Sequence, residues 1–391
     1  MIDVTKIQGL LQAQGLDGWL FHDFHGRDPI TRDILGLDGK SHPSRRLFYF
    51  IPAGGEPVKV LSAIEPLLLD GLPGRKVLYK GKAGQDEALR RLLRPGMKVA
   101  CQYSPMGNVP TASTMDGGLL EYLRTFGSEL VSSADLLQHF GAVLTPEQVE
   151  SHRQAGVIVH KIMDETFRWV RQSLEEGLSI NEWDMLKKMK ALIDREGVIL
   201  DGPPFFGVDD HASDPGYEPK AQGSYPIREG SRLILDFAAR LPGEDSVYYD
   251  VTWCIQVGQA VDPEYQRLFD IVWEARQSVV DLLEARLTAG KAVYGYEADR
   301  QTRAVFEKYG LSQFIMHRTG HSIGHACHSV GANLDDYETH DDRQLLPGTM
   351  FSVEPGLYTG KYGVRLEFDV HITPERKVRI YGPIQREILC I

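Results

Sequence analysis

The chain has 391 residues, 42% of them apolar and 25% charged, with a formal net charge of −11 and a pI of about 5.7. That length exceeds one ordinary core and implies two or three domains. The acidic balance argues against a nucleic-acid or anionic-membrane partner, each of which needs a basic patch, and no apolar run is long enough to span a bilayer.

Residues 4 to 14 read as an amphipathic helix carrying Val4, Ile7, Leu10 and Leu11 on one face, closed by Gly15. Trp19 to Phe21 is a short strand. The polar segment His22 to Arg46 reads as a long loop or a loop with a short helix. Leu47 to Ile51 and Pro57 to Leu61 are paired strands around Pro52-Ala53-Gly54-Gly55. A helix over Gln85 to Leu93, a strand over Met97 to Tyr103, a helix over Leu119 to Phe126 and a strand over Glu129 to Ser132 follow. The alternation describes an α/β domain over residues 1–140. A second domain, 145–391, opens on Thr145-Pro146-Glu147-Gln148, a capping box with proline at the first helical position. Its helix runs to about Ser173. Asn181 caps another to about Arg195, and two more cover about Pro263 to Leu287 and Tyr296 to Tyr309. Strands are expected over Arg232 to Ala238, Val247 to Val257, Thr349 to Val353, Val364 to Ile372 and Lys377 to Ile380, so this half is α+β. Met1 to Lys6 lacks the layout of a signal peptide. Cys101, Cys254, Cys327 and Cys390 are far apart without a CxxC, so free thiols in a reduced, cytoplasmic setting are expected.

Four of the 13 histidines fall in His317-Arg318-Thr319-Gly320-His321-Ser322-Ile323-Gly324-His325-Ala326-Cys327-His328. A helix would stack all four on one face, but Gly320 and Gly324 disfavour it. An extended stretch whose histidines point different ways is the better reading, with the glycines allowing close backbone approach. Cys327 needs no role beyond that of a small buried apolar residue.

Asp236 ends the apolar run Leu233-Ile234-Leu235. Asp250 opens Val251-Thr252-Trp253-Cys254-Ile255, with a turn between the two. Glu354 and Glu367 sit within apolar segments near the C-terminus. Each acid alone reads as an ion pair or strand-end cap. Brought together, four buried carboxylates repel one another unless cations neutralise them. Such a set with one histidine is rich in oxygen and suits Mn, Co or Zn at a two-metal site.

These residues resemble the metallopeptidase family M24, of the pita-bread fold, which includes Xaa-Pro aminopeptidases, prolidases and methionine aminopeptidases. The matching pieces are Asp236 with Asp250-Val251-Thr252, Gly320-His321-Ser322-Ile323-Gly324 with His328, Val353-Glu354-Pro355-Gly356-Leu357-Tyr358, and Gly363-Val364-Arg365-Leu366-Glu367. The N-terminal half resembles, more weakly, the creatinase-like domain that precedes this fold in the proline-specific branch. The resemblance implies that Asp236 binds one of two divalent ions, His321 and Glu354 the other, and that Asp250 and Glu367 bridge both. Glu354 would also act as general base toward a water activated by the ions. His328 would stabilise or protonate the reacting amide, His317 and Tyr358 would line the substrate pocket, and His211 would be a further substrate-site histidine. Trp253, Arg318, His325, Ser329 and Phe368 depart from the family's usual residues, and none is among the five ligands.

The expected activity is hydrolysis of Xaa-Pro dipeptides. The alternative is an Xaa-Pro aminopeptidase acting on longer peptides. A creatinase-like metal-free hydrolase or a non-enzymatic binding module would be expected to have lost ligands, and all five positions are filled. A dipeptidase must read a free carboxylate beyond proline, a task suited to arginine. Arg365 is one candidate, and the loop carrying His22, Asp23, His25, Arg27, Arg45 and Arg46 is another, reaching its own site or that of a second subunit. The resemblance also implies a homodimer.

Overall fold

Alternating apolar residues on the central strands of the N-terminal half give its sheet two faces that must each be covered. The computed structural model describes residues 2–37 and 43–391, and its chain divides into two units, Met1–Phe140 and Gly141–Ile391. In the first unit a six-stranded sheet runs in the order Arg75–Tyr79, Val58–Ser62, Leu47–Pro52, Gly18–Asp23, Lys98–Cys101, Glu129–Ser132. Trp19, Phe21, Tyr49 and Ile51 pack with Ile7 and Leu11 of the Val4–Ala13 helix on one face. Leu20, Phe48, Phe50 and Val60 pack with Leu89, Leu92, Leu119 and Leu123 on the other.

Two elements here carry no legible pattern. The Arg75–Tyr79 strand is an exposed edge with Arg75 and Lys76 on it, a composition that blunts pairing with other chains. The Ala134–Gly141 helix spans only two turns. In the polar segment, Asp28 caps a short helix over Pro29–Ile34, and residues 38–42 lie outside the described residues.

The second unit opens with the Pro146–Glu175 helix, whose Thr145–Gln148 capping box is formed. The helices Glu182–Glu196, Pro263–Thr288 and Gly295–Lys308 follow. One four-stranded sheet runs Leu389–Cys390, Thr252–Gln256, Arg232–Asp236, Phe205–Val208. Another runs Ser322–Ile323, Met350–Val353, Phe368–Ile372, Val378–Ile380. A short hairpin joins Gly356–Tyr358 to Gly363–Arg365.

Three expectations change here. The segment expected as one strand from Val364 to Ile372 is two, Gly363–Arg365 and Phe368–Ile372. The break falls at Leu366 and Glu367, where the Glu367 N–H donates across to Thr252 O at 3.2 Å. Glu354 likewise lies just past its strand, not within it, and the strand carrying Thr252 begins two residues after Asp250. The acids therefore sit where regular pairing stops, which frees their side chains to converge.

Candidate metal centre

Asp236 pairs with Thr252 in the hairpin ladder, and the same register continues to Ala239 and Tyr249. Asp250 is two residues from Thr252, so Asp236, Thr252 and Asp250 share one face. Thr252 Oγ1 donates to Glu367 Oε2 at 2.6 Å and accepts from Arg365 Nε at 3.2 Å. One carboxylate oxygen from each of Asp236, Asp250 and Glu367 lies within 4.8 Å of the others, and one donor atom from each of His321, Glu354 and Glu367 does the same. Glu367 belongs to both groups.

The histidine stretch approaches in extended form, with only Ser322–Ile323 in regular pairing. Gly320 is required: a Cβ there would stand 2.0 Å from Ser352 O. Ser352 Oγ accepts the His321 N–H at 2.9 Å and donates to Glu354 Oε1 at 3.2 Å, fixing the two residues together. His321 Nδ1 meets Cys327 O at 3.0 Å. A carbonyl only accepts, so Nδ1 carries the hydrogen and Nε2 presents a lone pair. That lone pair faces Glu354 Oε1 at 3.3 Å and Asp250 Oδ2 at 3.7 Å.

Burial holds the His321 pKa down, to about 4, so the ring is neutral at pH 7. No donor lies between these three acceptors, and the carboxylates around them raise one another's pKa values. Burial, then Asp236 and Asp369, push Asp250 well above the usual carboxylate range. Burial, then Asp250, Glu354 and Asp236, do the same to Glu367. Asp236 is raised by burial against the opposing pull of Arg365. Glu354 is the exception: burial raises it, but His321, His317 and Arg365 together bring it below its ordinary value.

Asp250 Oδ1 and Glu367 Oε1 are fully buried and accept no hydrogen bond. An unpartnered buried carboxylate oxygen is costly and marks a place for an ion or water. The donor set, four carboxylates and one neutral imidazole, fits hard or borderline divalent cations.

The remaining expected residues divide. His317, Tyr358 and Arg365 form a chain that ends on Asp236. Arg365 Nη1 donates to Tyr358 Oη at 2.9 Å, and that hydroxyl meets His317 Nε2 at 2.7 Å. Arginine only donates, so Tyr358 donates onward to His317, whose Nδ1–H then donates to Arg318 O at 2.7 Å. Arg365 Nη2 binds Asp236 Oδ2. With Nε, Nη1 and Nη2 each making a hydrogen bond within the site, Arg365 ties Thr252, Tyr358 and Asp236 together. His328 packs over His321 with ring centroids 4.1 Å apart, and its side chain is 60% exposed.

His211 is held by a set of groups of its own. Its ring lies between Tyr225 and Tyr217, with centroids 3.6 and 4.0 Å away, and Nδ1 meets Glu182 Oε2 at 3.0 Å. Glu182 also accepts from the Val208 and Tyr225 N–H groups and from Tyr217 Oη. These partners fix the Nδ1 side of the His211 ring and its plane.

Cys327 is buried as expected, yet Sγ donates to Asp250 Oδ2 at 3.0 Å, so it helps orient that acid. His325 ties two segments together: Nε2 meets the capping residue Gln148 at 3.0 Å and Nδ1 meets Ser246 O at 3.2 Å. A fifth acid went unread in the sequence. Asp369 Oδ2 accepts the Asp250 N–H at 2.7 Å, and its Oδ1 is buried and unpartnered. The available signal was its period-two spacing from Glu367 in an apolar strand.

The family model for metallopeptidase family M24 matches residues 150–374. The chain belongs to this family. Among curated M24-like relatives, it is 23% identical over 257 residues to a putative dipeptidase, YkvY, of Bacillus subtilis, covering 66% of this chain and 65% of that one. It is 29% identical to the Xaa-Pro dipeptidase of Pyrococcus furiosus over 164 residues, 42% of this chain and 43% of that protein. Among solved structures, the dipeptidase PepE of Mycobacterium ulcerans superposes with a TM-score of 0.69 at 20% identity, covering 99% of this chain and 96% of that one. The fold is thus an N-terminal α/β domain, creatinase-like, followed by the α+β pita-bread domain of M24, and the residues that converge lie within the matched region. Members of M24 use divalent metals, and the converging donors are among the groups of this chain, in the described residues, that could hold one.

Proposed function

We propose that this chain is a metal-dependent Xaa-Pro dipeptidase. The observation that carries the reading is the pair of unpartnered buried oxygens, Asp250 Oδ1 and Glu367 Oε1, within a ring of four acids and the lone pair of His321. Asp236, Asp250, His321, Glu354 and Glu367 would hold two divalent ions, with Mn²⁺ foremost and Co²⁺ or Zn²⁺ also suited to these donors. Bound there, the ions would supply a water activated at neutral pH and a Lewis acid for the scissile carbonyl.

The chain's own groups do the rest. Glu354, whose pKa lies below its ordinary value and which has the Arg365 charge nearby, takes a proton as general base and returns it to the leaving proline nitrogen. His317 and Tyr358 line the substrate side, and Arg365 keeps Asp236 oriented. His328, open to solvent beside His321, meets the substrate amide. All four cysteines are free, which agrees with a reducing, cytoplasmic compartment, and we take the working form to be a homodimer.

One observation favours a second reading. Each Arg365 nitrogen already bonds a group within the site, which favours recognition of a substrate carboxylate by other residues. An aminopeptidase, which needs no such recognition, gains weight accordingly. The test is to supply Mn²⁺ and compare Ala-Pro with a longer peptide beginning Ala-Pro. Turnover of the dipeptide alone supports the dipeptidase. Comparable release of alanine from the longer peptide makes it an aminopeptidase, and turnover unchanged after metal stripping overturns both.

A further inference from the structure

The segment from Asp201 to Phe205 joins the strands Ile199–Leu200 and Phe205–Val208, and both of its ends reach the metal centre. At one end Phe205 pairs in register with Asp236, and the Arg365 guanidinium lies 5.2 Å from its ring. At the other end Asp201 Oδ2 stands 3.4 Å from His328 Nδ1. His328 in turn packs on His321, whose Nε2 faces the acids.

Asp201 and His328 are 41% and 60% exposed, and an ion pair that open contributes little to stability. Its place is what distinguishes it. An imidazole at the mouth of a metal centre has two nitrogens and a rotatable ring, and only one nitrogen can face substrate at a time. A carboxylate beside Nδ1 decides which one. The separation is slightly long for a hydrogen bond, as such contacts often are before substrate tightens them.

We propose that Asp201 is a positioning residue for His328. Its carboxylate holds the Nδ1–H and fixes the ring plane, so Nε2 is the nitrogen left for the substrate amide. The two residues are far apart in sequence, and only the Asp201–Phe205 crossover brings them together. The assignment rests on the proposed peptidase activity for its kinetic consequence and on geometry alone for the state of the ring.

The experiment therefore has two arms. In Zn²⁺-loaded protein labelled with ¹⁵N-histidine, the His328 ring, assigned by its disappearance in His328→Gln, should show the hydrogen on Nδ1. In Asp201→Ala it should move toward the Nε2–H form, and Asp201→Glu should restore it. A ring signal unchanged in Asp201→Ala overturns the proposal whether or not the protein hydrolyses Xaa-Pro peptides. In the kinetic arm, Asp201→Ala should lower kcat about tenfold while KM stays within about twofold, the scale expected for an outer partner of a site histidine. Adding His328→Gln to Asp201→Ala should cost no more than His328→Gln alone. A loss confined to KM, or an additive double variant, would mean that Asp201 acts independently of His328. Absence of Xaa-Pro turnover in the unaltered protein defeats the proposed function and leaves the ring signal to decide the role of Asp201.

Discussion

Glu182 and Glu367 are both glutamates sealed from solvent, at 0% and 2% exposure, yet their surroundings are opposite. Glu182 is met by the Val208 and Tyr225 N–H groups, the Tyr217 hydroxyl and the His211 ring. Glu367 has the Thr252 hydroxyl on one oxygen, nothing on the other, and Asp250, Glu354 and Asp236 for neighbours. A buried carboxylate whose work is structural gathers donors until its lone pairs are used. One reserved for a cation keeps lone pairs open and accepts repulsion in the meantime. That contrast separates the two uses of buried acid in one domain, and it can be attacked from either side.

The largest expected effect is on chemistry. Glu354→Ala should lower kcat about a thousandfold or more, since on the proposed function it would remove both a ligand and the base. Activity within tenfold of the unaltered protein, by our estimate well inside what a lost base costs, would remove Glu354 from the centre. Next is stability. Glu182→Ala should cost about 3 kcal/mol in urea denaturation, the scale for breaking a buried, fully bonded acid, while metal binding persists. Glu367→Gln should stabilise the metal-free protein, because it removes one of the repelling charges. If both variants lost stability alike, the two acids would be doing the same work.

Arg365→Lys should weaken divalent-ion affinity about tenfold, because a lysine cannot reach Thr252, Tyr358 and Asp236 at once. Isothermal titration would read the change, and an unchanged affinity would free Arg365 for the substrate role. The smallest effect expected is from His325→Ala, about 1 kcal/mol of stability from its two hydrogen bonds. Turnover and metal affinity should be unaltered. A loss of activity there would bring the fourth histidine of the stretch into the site.

Acid and base titration sharpen the same contrast. Asp250 and Glu367 have folded pKa values raised by burial and mutual repulsion, so the metal-free fold holds protons that the unfolded chain releases. Stability of the stripped protein should fall as pH rises from the unfolded carboxylate range through those raised values. His321, lowered to about 4, works oppositely and loses stability as pH falls below about 6.5, the unfolded histidine value. Above that pH only the acid effect remains. Melting of stripped protein should therefore decline as pH rises through the raised range of these acids, and added Mn²⁺ should remove the decline by taking the place of the protons.

The four acids were legible because acids within apolar runs are exceptional, whereas His321 stood out from the other histidines of its stretch only through the family resemblance. The lines separating ligand from support were not legible. Arg365 reads the same in sequence whether it faces a substrate or Asp236, and only Tyr358, Thr252 and Asp236 around it decide. His211 stands in a polar loop, and its partner Glu182 begins a helix 29 residues earlier. Asp201 meets His328 only through a crossover between strands, one of which has two residues, too few to show a period. The helices of the second unit were readable from their caps, Thr145 and Asn181, because capping is local. The break at Leu366 and Glu367 was not, because it answers to Thr252 on another sheet.

The most direct test is to titrate chelator-stripped protein with Mn²⁺ and follow free ion by electron paramagnetic resonance, in the unaltered chain and in Glu367→Gln and Glu182→Gln. Tight binding in the unaltered chain and in Glu182→Gln, with binding lost or reduced in Glu367→Gln, is the predicted result. Equal Mn²⁺ affinity in all three would contradict the assignment of the open carboxylates to a metal centre.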